Sequence, residues 1–271
     1  MTALAAVLGF PVGHSRSPAM HNAAFEALGL DWRYLKLPVP PERFAETVSA
    51  LPASGYRGVN VTIPHKLAAL ELADEASPAA RAVGAANTLT FENGRIAADN
   101  TDAGGLLDAL GDPPRGRALV LGAGGAGRAA AWALKEAGAE VLVWNRTPER
   151  AEQLAAELGI EAVAKPVEAD LLVNATSVGL DPSTTEEQAL RELALSAVSS
   201  QPSTVIDLVY RGDTSPPPIT TYASRAGTRV VDGLEILVRQ GARSFALWTR
   251  QEPPLEAMRN AARGANPAAA A

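Results

Sequence analysis

The sequence contains no cysteine in 271 residues, and only three histidines. The lack of thiols removes disulfides, thiolate-bound metals and cysteine nucleophiles together, and it fits a reducing compartment. His14, His21 and His65 are scattered without metal-ligand spacing, so no metal site is expected. Positive charge is also short: 24 Lys and Arg stand against 30 Asp and Glu, a formal net charge of −6. That balance argues against nucleic acid as a partner, and it leaves any anionic ligand to local arginines and backbone amides. No apolar run approaches the ~20 residues of a membrane span. The opening "MTALAAVLGF" lacks a basic flank and reads as a first strand, not a signal peptide. A cytoplasmic protein with no membrane partner is expected.

What is present is globular: 47% hydrophobic and 20% charged residues, enough for one large domain or two of ordinary size. Strand-like runs ("LAAVLGF", "WRYLKLPV", "GVNVTI", "RALVLGA", "EVLVWN", "DLLVNAT", "TVIDLVY", "RVVDG") alternate with helical patterns, which predicts βαβ units and parallel sheets. The exception is "NTLTFENGRIAADN", where Asn93-Gly94 signals a type I′ turn and so a β-hairpin. A domain boundary is expected within Asn100–Gly105. A late helix carries Leu234, Leu237, Gly241, Phe245 and Trp248 at helical spacing.

"ALVLGAGGAGRAAAWALKEAG" places Gly122, Gly124 and Gly127 between an apolar strand and an alanine-rich helix, the G-x-G-x-x-G pattern in its required context. The first glycine turns the chain, the second admits a pyrophosphate, and the third lets helix and strand pack. The next strand ends in Asn145, Arg146 and Thr147, with Arg150 one turn on, where an NAD-binding chain carries a carboxylate. Two guanidiniums and no carboxylate favour NADP, by gripping its 2′-phosphate. As solvated residues they would be two cations at a helix N-terminus, an unfavourable place. "LLVNATSVGL" ends a buried strand with Thr176 and Ser177, which either line the cofactor cleft or form the turn.

Other polar residues lie outside this unit. "HSRSPAM" offers Ser15 and Ser17, the latter readable as an N-cap before Pro18; "GAANTLT" offers Asn87; "ADNTDAGG" offers Asn100 and Asp102 ahead of a helix, where capping is again an alternative. In "GVNVTIPHK", valines alternate with Asn60 and Thr62, and Lys66 falls at a helix start, where the dipole disfavours a cation. Either an anion nearby offsets that cost or the charge has a task.

Together "GHSRSPAMHN", "GVNVTIPHK", "GAANTL", "DNTDAGG", "GAGGAG", "NRT", "NATSVG" and "LVRQGARSFALW" resemble, in order, the successive motifs of the shikimate dehydrogenase family. The resemblance implies NADP-dependent reduction of 3-dehydroshikimate to shikimate by an α/β protein of two domains separated by a cleft. Residues 1–102 with 235–265 would form the substrate and catalytic domain on a mixed sheet. Residues 103–234 would form a Rossmann-like, doubly wound NADP domain, and 266–271 a frayed tail. Lys66 and Asp102 would be the catalytic pair, and Ser15, Ser17, Asn60, Thr62, Asn87, Tyr210 and Gln240 would surround the substrate, the serines meeting its carboxylate. Gly122, Ala123, Gly124, Gly125, Ala126, Gly127, Asn145, Arg146, Thr147, Arg150, Thr176, Ser177 and Gly233 would hold NADP. Two departures stand out: "RGDTSPPP" replaces the asparagine-proline pair usual after Tyr210, and Leu180 and Ile236 stand where many relatives have methionine. A quinate/shikimate dehydrogenase, a non-catalytic NADP-binding paralogue and a methylenetetrahydrofolate dehydrogenase-like enzyme are the rival expectations. The catalytic pair argues against the second, and the serines with "DNTD" against the third. Assembly as a homodimer is left open.

Overall fold

A computed structural model of the protein describes residues 2–198 and 200–264; the expected tail at 266–271 lies outside them. The chain divides into two compact units, one of residues up to Gly105 together with those from Leu237 onward, the other Leu106–Ile236. In order, the elements are β1 (Ala3–Gly9), α1 (Ser17–Ala27), β2 (Trp32–Pro38), α2 (Phe44–Ala50), β3 (Tyr56–Val61), α3 (Lys66–Glu71), β4 (Glu75–Ala76), α4 (Pro78–Val83), β5 (Thr88–Glu92), β6 (Arg95–Asp99) and α5 (Thr101–Leu110). There follow β7 (Arg117–Leu121), α6 (Gly125–Glu136), β8 (Glu140–Trp144), α7 (Pro148–Leu158), β9 (Glu161–Ala162), β10 (Leu171–Asn174), α8 (Glu186–Glu192), β11 (Thr204–Asp207), α9 (Pro218–Arg225), β12 (Arg229–Val231), α10 (Gly233–Thr249) and α11 (Leu255–Arg263).

The first unit is built on a mixed six-stranded sheet in the order β2-β1-β3-β5-β6-β4. Its β1 is an almost uninterrupted apolar run, as a strand between two parallel neighbours must be when both faces are covered. β5 and β6 pair antiparallel, and the turn between them places Asn93 at φ 52° and Gly94 at φ 74°, the two left-handed positions of a type I′ hairpin. Val59, Val61, Phe44, Val48 and Leu89 pack together in the core of this unit.

The second unit has a wholly parallel sheet in the order β12-β11-β10-β7-β8-β9, doubly wound about β7 and β10. Strand alternation divides its apolar residues between two layers: Ala118 and Val120 of β7 pack with one core cluster, Leu119 and Leu121 with the other. Each fully buried leucine of this kind contributes roughly 1.5–3 kcal/mol of transfer free energy. The order reverses at β7 and β10, and the ends of those strands are where such a sheet binds its ligand. No described helix is long and apolar enough to cross a membrane.

Candidate active site

In the first unit, β1 and β3 run parallel, so their carboxyl ends lie side by side; Phe10 N–H donates to the Ile63 carbonyl and Thr62 N–H to that of Leu8. The chain beyond β1 carries Ser15 and Ser17, both buried. Ser17 does not cap α1 as one expectation had it. It is the first helical residue, Arg16 stands at the N-cap, and no side chain caps the helix. Its backbone N–H instead reaches the Ser15 hydroxyl oxygen at 3.3 Å. Neither serine hydroxyl donates to a protein acceptor among the described residues, so both O–H groups are available to a ligand.

Lys66 opens α3, whose N-cap, His65, makes no side-chain cap. The anion that offsets its position is Asp102: Nζ lies 2.6 Å from Oδ2, with the two side chains 13% and 14% exposed. The other oxygen of Asp102 accepts from Asn87 Nδ2 at 2.8 Å. The capping alternative for Asp102 falls to its neighbour, since Asn100 Oδ1 accepts from the Ala103 N–H at 3.2 Å. Asp102 is thereby released for the lysine while remaining in the first turn of α5, where the dipole favours a carboxylate. Among the described residues the ammonium uses one of its hydrogens, on Asp102, which leaves two for other acceptors.

Behind the pair lies a buried polar network that the sequence did not advertise. The Asn87 carbonyl accepts from the Thr101 backbone N–H at 2.7 Å, which fixes which way its amide faces. Thr101 Oγ1, Thr88 Oγ1 and Ser244 Oγ lie within 3.2 Å of one another. Asn60, expected at the substrate, turns inward to this cluster: its amide donates to Ser244 at 2.8 Å and Thr88 at 3.0 Å, and its carbonyl accepts from the Tyr34 hydroxyl at 2.8 Å. Gln240, on α10, is buried and bonded through Oε1 to Asn87 at 3.2 Å and through Nε2 to the Leu237 carbonyl. Thr62 keeps its hydroxyl unpartnered among the described residues. Single threonines and serines carry no sequence signal, so nothing marked Thr88, Thr101 or Ser244 in advance. His65 is removed from the chemistry, bonded to the Val39 carbonyl and stacked on Phe44 at 4.4 Å.

In the second unit the glycine loop leaves β7 and enters α6. Gly122 has φ 106°, a conformation that disfavours any side chain, and a Cβ on Gly127 would lie 1.9 Å from the Gly122 carbonyl oxygen. At Gly124, the N-cap, a Cβ would meet nothing within 4 Å, so the space above that residue is open. The amides of Gly125, Ala126 and Gly127 begin a twelve-residue helix whose first turn has no acidic residue or side-chain cap, leaving N–H groups for an anion. Asn145 Oδ1 accepts from the Ala123 N–H at 3.2 Å and its amide donates to the Thr147 carbonyl, tying β8 to the loop. Arg146 and Arg150 are exposed, and neither guanidinium has a partner among the described residues. Thr176 uses its hydroxyl locally, donating to Asn174 Oδ1 at 2.7 Å and accepting from the Val178 N–H, so it builds the turn that also holds Ser177. Gly233 begins α10, where a Cβ would press within 2.5 Å of the Val209 carbonyl. Tyr210 is half-buried. The unusual loop after it is organised by Arg211, a buried residue that donates to the carbonyls of Gly179 and Asp181 at 2.9 Å.

The chain is similar to known proteins along nearly its whole length. Residues 7–89 match the shikimate dehydrogenase substrate binding domain, 108–210 the shikimate / quinate 5-dehydrogenase family, and 233–263 the shikimate 5′-dehydrogenase C-terminal domain. A shikimate dehydrogenase (NADP(+)) of Thermus thermophilus is 48% identical over 270 residues, spanning 96% of this chain and 97% of its own length. Among solved structures, shikimate 5-dehydrogenase from Thermus thermophilus in complex with NADP(H) and shikimate superposes with a TM-score of 0.85 at 46% identity, over 97% of this chain and 100% of that one. The ligand-free 5-ketofructose reductase of a Gluconobacter species superposes at 0.83 with 28% identity, over 97% and 99% of the two chains.

Proposed function

The chain belongs to the shikimate dehydrogenase family, and we propose that it works as an NADP-dependent oxidoreductase interconverting 3-dehydroshikimate and shikimate, with Lys66 moving the proton. The observation that supports this assignment of roles is the ion pair itself: a lysine and an aspartate, both largely withdrawn from water, 2.6 Å apart and braced by Asn87. NADPH supplies the hydride, and NADP accepts it in the reverse direction. As the C3 ketone is reduced, negative charge develops on its oxygen. Lys66 stabilises that charge with an ammonium hydrogen and then transfers the proton to it, giving the hydroxyl. Asp102 keeps the ammonium oriented and accepts from a ring hydroxyl. In oxidation the neutral lysine takes the hydroxyl proton back. Ser15 and Ser17 donate to the carboxylate, while Thr62, Asn87, Gln240 and Tyr210 read the ring alcohols, and Asn60 holds Thr88 and Ser244 in place beneath them. A polyol acid suits a site of short polar groups, because a substrate lacking a hydroxyl would leave a buried donor unpaired.

The residues of the second unit fit NADP: amides at the start of α6, open space at Gly124, and Arg146 and Arg150, which have no partner among the described residues, for a 2′-phosphate. Purified protein is therefore expected to oxidise shikimate with NADP faster than any other pairing of shikimate or quinate with NADP or NAD. Lys66→Ala is expected to lower kcat by about 10²–10⁴-fold, the range of general acid–base catalysis, while NADP binding by fluorescence titration stays as in the wild type. Near-normal turnover in that variant would remove Lys66 from the mechanism.

A further inference from the structure

Between the two serines stands Arg16, whose guanidinium serves the last helix. Nε donates to the Ala262 carbonyl at 3.0 Å and Nη2 to the Ala261 carbonyl at 3.1 Å. Those carbonyls close the final turn of α11, which ends at Gly264 in the left-handed conformation. The Ala261 carbonyl also accepts from the Gly264 N–H at 3.2 Å, and the last carbonyls of a helix form the negative end of its dipole, so a guanidinium there is favoured. α11 is itself anchored: Met258 and Ala262 are fully buried, and the helix packs on α1, which begins at Ser17. The near side of the same loop is held too, by Lys36 Nζ donating to the Gly13 carbonyl at 2.5 Å and by Ser15 N–H to the Val12 carbonyl at 3.1 Å. Between these anchors the Ser15 oxygen accepts from the Ser17 N–H, which keeps the two serines in register.

We propose that Arg16 is a positioning residue for the substrate carboxylate: by clasping the end of α11 it fixes the backbone on which Ser15 and Ser17 present their hydroxyls. This rests on the reading that the serine pair meets the carboxylate. The role is geometric, since a guanidinium engaged with Ala261 and Ala262 brings no direct contact to the ligand. α11 thereby becomes part of the substrate site without touching the substrate.

The test compares shikimate with its methyl ester, which keeps the ring hydroxyls and loses the carboxylate charge. In Arg16→Ala, KM for shikimate is expected to rise about tenfold, on the scale of lost hydrogen bonds from a charged group. KM for NADP and kcat should stay within about twofold, and the preference for shikimate over the ester in kcat/KM should shrink by the same factor as KM rises. Arg16→Lys, which keeps a cation for one carbonyl, should recover part of the preference, and it serves alone if the alanine variant does not fold. Equal losses on acid and ester, or an unchanged KM in a folded variant, would overturn the proposal. Ser17→Ala separates the two layers: if it leaves the wild-type preference for the acid intact, the serine–carboxylate reading fails and the role of Arg16 falls with it.

Discussion

Arg146 and Arg150 are informative because nothing among the described residues uses them. Each guanidinium lies exposed at the start of α7, among dipoles that repel a cation, and neither has a partner among the described residues. Charged groups left in such a place contribute little to folding, so removing them should not cost stability. Their expected effect is on cofactor choice. Arg146→Ala with Arg150→Ala should raise KM for NADP by about 10–100-fold, as loss of charge-assisted bonds to a dianion implies, and leave KM for NAD nearly unchanged. Steady-state rates with both cofactors measure this directly, and an equal rise for NAD would show that the arginines do not read the 2′-phosphate. Lys66 makes the contrasting case: also a cation at a helix start, it is withdrawn from water and paired. The two kinds of misplaced charge thus differ in what offsets them: an ion pair for Lys66, solvent for Arg146 and Arg150.

At the scale of elements, the β7–loop–α6 unit depends on a contact that only glycine permits. A methyl at Gly127 would meet the Gly122 carbonyl oxygen at 1.9 Å, a backbone atom that cannot swing aside. Gly127→Ala is expected to shift α6 off β7, lowering Tm by several degrees and abolishing NADP binding, whereas Gly124→Ala should fold normally, because a Cβ there meets nothing. Thermal melts with and without NADP distinguish the two: only Gly124→Ala should keep a wild-type Tm without cofactor. This loop was legible in the sequence because its requirement is local, set by glycine spacing between a strand and a helix. The hairpin β5–β6 was legible for the same reason, Asn93-Gly94 being a turn in itself. Elements defined by distant partners were not. β4 and β9 are two residues each, and they exist only through pairing with β6 and β8. The site shows the same division. Lys66 and Asp102 stood out as charges at helix starts, but the choice of Asn100 over Asp102 as the cap of α5 became visible only once Lys66 had claimed the carboxylate. The hydroxyls of Thr88, Thr101 and Ser244 acquire meaning only when β5, α5 and α10 bring them together.

For the whole molecule, two buried groups, one in each unit, should shape the response to acid in opposite senses. His21 is fully buried and stacked on Tyr34 at 4.4 Å, and burial depresses its pKa from 6.5 to about 3, with the nearby Asn60 side chain opposing only in part. The unfolded chain takes up a proton near pH 6.5 that the folded one refuses. His21 therefore contributes stability above that pH, which is lost as pH falls toward 3, at about 1.4 kcal/mol per unit. Asp207 at the end of β11 is the reverse. Burial raises its pKa from 3.8 to about 6, against hydrogen bonds from Val209, Thr220 and Asn174 that favour the charged form. The folded state then holds a proton that the unfolded chain has released. Its contribution is fully present below about pH 3.8 and is lost as pH rises through 6. From these two groups, the stability curve should be nearly level between about pH 6 and 4, where one effect cancels the other, and should fall below about pH 4, where only His21 still acts. Asp207→Asn removes one side of the balance. It should gain stability relative to the wild type at about pH 8, where the buried charge is a cost, and show a continuous decline from about pH 6 downward instead of a plateau. His21→Phe removes the other side, so its stability should rise as pH falls from about 6 to 4. Urea midpoints at half-unit steps of pH give both curves, and variants running parallel to the wild type would show that neither group sets the acid response.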